Sequence, residues 1–169
     1  MVSVKTKSSL IAEIDDLMGA LGIEFGGDGD GDAERDFLVE RCPERLEPLA
    51  RTLPTLSLHL LAGIADGPVS VVGLAARSGQ LKGTVSKHVQ RLVEAGLVER
   101  TPVPGNRKEV ELRLTADGAL VERAHDALHA EMAAGMRAFL SRYRVAELEV
   151  IETVLRDLLA ARARGLGRA

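Results

Sequence analysis

A chain of 169 residues with 46% hydrophobic side chains can bury the core of a domain, which excludes disorder as its general state. Its 22 Lys and Arg against 25 Asp and Glu give a formal net charge of −3, so any polyanion-binding surface must be local. One Tyr and three Phe are too few for the stacking platforms of single-stranded nucleic-acid binders, and a single cysteine excludes an intramolecular disulfide.

The opening MVSVKTKSSLIAEIDDL has neither a sustained apolar stretch nor a small-residue cleavage site, and nothing approaches about 18 uninterrupted apolar residues. The expectation is a cytoplasmic protein with no membrane partner. From Ser8 to Phe25, Leu10, Ile14, Leu17, Met18 and Leu21 fall at helical spacing, and the helix runs into GGDGDGD at Gly26–Asp32. The spacing of Asp28, Asp30 and Asp32 mimics the opening of a calcium loop. Its sixth position is Ala33 instead of Gly and its twelfth Val39 instead of Glu, so the run reads as a break. Ala33–Cys42 then reads as a short helix with Phe37 and Leu38 inward, and Pro43 and Pro48 are expected to interrupt the next stretch. A helix from about Leu53 to Ala65 stops at Asp66-Gly67-Pro68.

From Ser70 the sequence SVVGLAARSGQLKGTVSKHVQRLVEAGLVER places a short apolar helix, a Gly-containing turn and a second amphipathic helix in succession, which is helix-turn-helix grammar. In the second helix Val85, Val89, Leu92 and Val93 supply the inward face, leaving Lys82, Thr84, Ser86, Lys87, His88, Gln90 and Arg91 outward. Such side chains suit duplex DNA: the cations neutralise phosphates, the hydroxyls donate to them, and Gln90 or Arg91 can read base edges. A solvated amphipathic helix would carry the same pattern.

The next segment favours DNA. Gly96 closes the helix, Leu97–Thr101 reads as one strand and Val110–Leu114 as another, with PVPGNRK between them. Asn106, Arg107 and Lys108 thus stand at a hairpin tip, a wing. Between Lys82 and Lys108 six basic residues face two acidic ones, a local +4 in a chain of −3. Enzyme motifs are missing: there is no glycine-rich phosphate loop after a strand, no G-x-S-x-G, no C-x-x-C and no H-E-x-x-H. The chain is therefore read as a non-enzyme. His125 and His129 are i and i+4 in a predicted helix, placed either to share one metal ion or to line a core or dimer face.

The stretch LAARSGQLKGTVSKHVQRLVEAGLVER, the wing tip GNRK and LRLTADGALVERAHDAL resemble the MarR family of winged-helix transcriptional regulators over roughly Ala33–Arg164. Asn106 departs from the Asp that many members place before the wing arginine. The resemblance implies a homodimer formed by the N-terminal helices, the helix from about Ala116 to Ser141 and the last helix from Val145 to Arg164, bound to a pseudo-palindromic double-stranded operator. Within the family the histidines are similar to those of the AdcR-like zinc-uptake repressors. Asp36 lies six residues before Cys42, His59 falls in LSLHLL, and His125 and His129 follow Thr115 by ten and fourteen residues. That likeness implies Asp36, His59, His125 and His129 as ligands of Zn2+ acting as corepressor, with Glu40 a competing acid and Cys42 a further candidate. Co2+, Ni2+ and Fe2+ accept the same donors. Leu58 and Ala124 stand where the group's secondary site has carboxylates.

The expected fold is mainly α with a small β-wing: a winged helix-turn-helix, dimeric through its N- and C-terminal helices. Its expected parts are an N-terminal helix and linker (1–32), a dimerisation helix and connector (33–52), the DNA-binding domain (53–115) and C-terminal dimerisation helices (116–169). The expected function is metal-responsive repression. The alternatives are a regulator relieved by a phenolic or lipophilic ligand or by oxidation of Cys42, and a helical adaptor that binds no DNA.

Overall fold

The computed structural model describes residues 5–25, 32–103 and 106–163, with side chains excepted at 22–25, 32–34, 106–109 and 162–163. Helix α1 (Lys7–Phe25) is followed by α2 (Asp32–Arg41), a 3-10 turn at Glu44–Leu46, α3 (Glu47–Thr52), α4 (Thr55–Ala65), α5 (Val71–Ser78) and α6 (Lys82–Glu94). Strands β1 (Val98–Val103) and β2 (Asn106–Leu114) lead into α7 (Ala116–Leu140) and α8 (Val145–Ala163).

The residues form two compact units: Asp28–His129, and Met1–Gly27 with Ala130–Ala169. These cut the chain differently from the expected four-part division. Helices α2 and α3 share one core with the winged helix, and α7 belongs to the larger unit only up to His129.

In the larger unit, α4 is the central helix. Leu58, Leu60, Leu61 and Ile64 are almost wholly enclosed and pack with Leu74 of α5, with Val85, Val89 and Leu92 of α6 and with Val121 of α7. Burying each leucine contributes about 1.5–3 kcal/mol, so this cluster holds α5 and α6 in place. Pro43 and Pro48 correct one expectation, because they begin structure rather than interrupt it. Pro43 precedes the 3-10 turn, and Pro48 sits in the first turn of α3, where a missing N–H costs nothing.

Helix α5 starts at Ser70, whose hydroxyl accepts the N–H of Gly73 at 3.1 Å, and stops at Gly79 with φ +67°, a left-handed cap that an L side chain resists. That turn sets α6 across α5. Gly96, φ +72°, ends α6 in the same way, and the next N–H, of Leu97, bonds the carbonyl of Leu92 at 2.9 Å. The antiparallel hairpin β1–β2 pairs Val98 with Leu114 through Pro102 with Val110, with an irregularity between Pro102 and Val103. Val69 joins its edge through reciprocal backbone bonds to Leu112. At the start of α7 the Thr115 hydroxyl donates to the Gly96 carbonyl at 2.7 Å and accepts the Gly118 N–H at 3.0 Å, locking the end of the wing to the long helix.

In the smaller unit α1 lies against α8. Leu10, Ile11 and Ile14 bury with Leu140 and Leu148, flanked by Met136, Tyr143, Ile151 and Leu155. A charged rim closes the pair: Lys5 bridges Glu13 and Glu152, and Arg156 reaches Glu152 and Glu13.

Candidate reading head and metal centre

The exposed face of α6 presents Lys82, Ser86, Lys87, Gln90 and Arg91, while Thr84 is half-buried. The Gln90 amide donates to Glu94 at 2.8 Å, an i,i+4 pair that any base contact would have to replace. His88 differs from the sequence expectation of an outward side chain. It is half-buried, and its Nδ1 lies 2.8 Å from the hydroxyl of Ser57, a residue of α4 with no exposed surface. The cause is the 3.6-residue period: position 88 borders the inward stripe formed by 85, 89 and 92, and a polar partner waits there. Ser57 was not singled out from the sequence, although a lone serine within the apolar run TLSLHLL was its signal. The side chains of Asn106, Arg107 and Lys108 lie outside the described residues; their backbone opens β2.

The three remaining histidines meet in the larger unit. His59 projects from α4, and His125 and His129 come one turn apart from α7. Ring centroids are 5.1 Å apart for His59 and His125, 5.5 Å for His59 and His129, and 4.4 Å for His125 and His129. The Nε2 atoms of His125 and His129 are 3.0 Å from each other, and one ring nitrogen from each of the three lies within 4.8 Å of the others. Four ligands at 2.0–2.1 Å from a tetrahedral Zn2+ stand about 3.3 Å apart, so small ring rotations would bring these nitrogens to bonding positions. Burial is graded, with His125 enclosed, His59 half-buried and His129 exposed, which leaves one side open to an entering ion.

The structure does not gather the other expected ligands into this group. Asp36 is exposed, and its carboxylate lies 3.3 Å from the guanidinium of Arg51. Glu40 is also exposed, 3.9 Å from Arg41. Cys42 is buried, and burial, reinforced by the negative charge of Glu47, pushes its thiol pKa up. That is the opposite of the activation a redox-sensing thiolate needs.

Two helices joined by a left-handed glycine turn, followed by an antiparallel hairpin, define this unit as a winged helix-turn-helix domain. Residues 52–109 match the model of the MarR family. The uncharacterized HTH-type transcriptional regulator YhjH of Bacillus subtilis is 32% identical over 108 residues, 63% of this chain. The match spans 62% of that protein, less than two thirds of its length. Among solved structures, the chain is similar to ZitR of Lactococcus lactis, described as a zinc-responsive MarR family member, with 17% identity over 89% of this chain and 97% of that one and a TM-score of 0.59. Against a cysteine-to-serine mutant of ZitR in complex with DNA the TM-score is 0.63, with 18% identity, 90% of this chain and 97% of that chain covered. The adhesin competence repressor AdcR of Streptococcus pyogenes gives 0.60 at 20% identity, covering 80% of this chain and 100% of that one. At these identities the likeness to solved structures concerns the fold alone.

Proposed function

We propose that the chain is a homodimeric, sequence-specific DNA-binding transcriptional repressor whose affinity for its operator rises on binding Zn2+. The observation that carries this reading is the convergence of His59, His125 and His129 inside the unit that holds the winged helix. Three imidazoles converging this closely form a nitrogen donor set suited to a transition-metal ion. The similarity to a protein described as zinc-responsive supports it.

In this reading Lys82, Ser86, Lys87 and Arg91 engage phosphate and base edges, with Thr84 and Gln90 beside them and Asn106, Arg107 and Lys108 on the wing. His59, His125 and His129 are three of four ligands, and the fourth is Asp36, released from Arg51. Bound Zn2+ would supply a crosslink between α4 and α7. Helix α4 carries His59 toward that crosslink and, two residues earlier, Ser57 toward His88 of the recognition helix. Its orientation is thereby shared by the metal centre and the reading head. By linkage, DNA must tighten metal binding as much as metal tightens DNA binding. The exposed apolar residues Val150, Val154 and Leu158 along one face of α8 are read as contributing to the dimer interface.

The test is a titration of the full-length chain, stripped by chelator, onto duplexes selected from a genomic library at fixed salt, with and without added Zn2+. A gain of about 5- to 150-fold in operator affinity is expected, the usual range of allosteric coupling. Equal affinity in both states would overturn the metal-dependent part of the reading and leave the DNA-binding part standing.

A further inference from the structure

Leu81 is the residue that neither packing nor helix chemistry accounts for. It stands immediately before α6, with 80% of its surface exposed, the highest value of any large apolar side chain among the described residues. It occupies the N-cap, where Ser, Thr, Asp or Asn would hydrogen-bond an orphan N–H, and it makes no such bond. The same chain uses the favourable residue at the start of α5, where Ser70 caps Gly73. A leucine at this point forgoes a stabilising cap and presents its isobutyl group to water. It does so among Lys82, Ser86 and Lys87, all exposed and polar.

In a helix-turn-helix the N-terminal end of the second helix enters the major groove, and its first side chains meet base edges. Base-pair edges there are polar except for one group, the C5 methyl of thymine. We propose that Leu81 is a specificity-determining residue that packs against a thymine methyl in each operator half-site. The inference rests on the DNA-binding reading above and adds to it a base identity.

The experiment selects the tightest duplexes for the metal-loaded full-length chain from a random-sequence library, then replaces each thymine of the selected site in turn by deoxyuridine, which lacks only the methyl. The wild type is expected to lose about three- to tenfold in affinity at one or two positions per half-site and little elsewhere. L81S is expected to bind the thymine and deoxyuridine forms equally at those positions, while its melting temperature stays level or rises because serine can cap α6. L81S that keeps the wild-type discrimination overturns the assignment, as does a wild type indifferent to every replacement. A shift of L81S from dimer to monomer in sedimentation would overturn it by giving Leu81 to a protein contact. Failure to select any duplex appears at the first step and removes the DNA-binding reading and this inference together.

Discussion

The Nδ1 atom of His88 meets the hydroxyl of Ser57 at 2.8 Å, joining α6 to the central helix α4 at a point with no access to water on the serine side. A hydroxyl taken out of water needs that partner, and losing it costs about 1–3 kcal/mol. H88A is therefore expected to lower the unfolding free energy by that amount in urea titrations, with S57A milder because the half-buried imidazole retains access to water. H88A that unfolds with the wild type yet binds DNA poorly would place His88 back on the reading surface.

Gly118 is the most constrained glycine of the described chain. A Cβ built there would fall 1.9 Å from the backbone carbonyl oxygen of Leu97, the same oxygen that accepts the N–H of Thr115 at 3.0 Å. Backbone cannot yield as a side-chain tip does. G118A should thus separate the wing from α7 and lower the melting temperature by several degrees or more, at a cost of about 3 kcal/mol, in the range of severe overpacking. A melting temperature unchanged in a thermal scan would mean that the two segments are not held at this distance.

The helix-turn-helix and both strands were legible because each carries two agreeing signals, a period and a stop. Gly79 and Gly96 mark turns, while Val85, Val89 and Leu92 mark a face. Helix α3 was obscured because Pro48 reads as a breaker unless it is known to lie in a first turn. The pairing of His125 with His129 follows from helical spacing, but their meeting with His59 is tertiary and came only through resemblance. The apolar residues of α8 divide between two faces: Ile151 and Leu155 pack toward α1, whereas Val150, Val154 and Leu158 remain exposed. The inward turn of His88 shows in the spacing only as a place at the border of the 85, 89 and 92 stripe, and the pairing of Asp36 with Arg51 has no signature in composition or spacing.

Two glutamates should give opposite pH signatures. Hydrogen bonds from Arg156 and Lys5 hold the Glu152 carboxyl below its ordinary range, so it contributes stability that is present above its unfolded pKa, near 4.3, and lost as pH falls through the folded value. For Glu122, burial first and then the charges of Asp126 and Asp66 raise the carboxyl, so the folded state loses stability as pH rises from the unfolded value through the folded one. E152Q should destabilise at neutral pH and E122Q stabilise, with both differences shrinking in acid. Unfolding curves at pH 7 and near pH 4 check the signs. The same sign for both variants at pH 7 would contradict the assigned causes.

The α1–α8 pair sets what truncation should do. Because Leu10, Ile11 and Ile14 cover Leu148, removing α1 uncovers that buried residue and strips Lys5 from Glu152, so a chain lacking residues 1–27 is expected to aggregate rather than persist as a trimmed dimer. A charge on the exposed face is the gentler probe. V154E or L158E should shift sedimentation toward monomer while leaving helicity intact. A stable dimer in both variants would take the interface off this face of α8.

The histidine cluster separates a metal centre from a structural one by the pattern of its losses. Losing an outer-shell partner of a metal site already costs about 10–100-fold, so removal of a direct ligand should cost more than about a hundredfold. Chelator-stripped protein is expected to take up one Zn2+ per subunit, and H59A, H125A and H129A should each weaken it beyond that bound. H88A, whose ring faces Ser57, should not. Because imidazole must be deprotonated to ligate, binding should release protons and weaken in acid. Asp36 is the discriminating position. If it completes the site, its carboxylate must leave Arg51, so R51A should tighten Zn2+ binding and D36A should weaken it. If a water molecule completes the site instead, both variants should bind as the wild type does, with the histidines still required. Competition against a zinc-binding dye reads each case. Histidine variants that retain full affinity would assign the three rings to packing between α4 and α7.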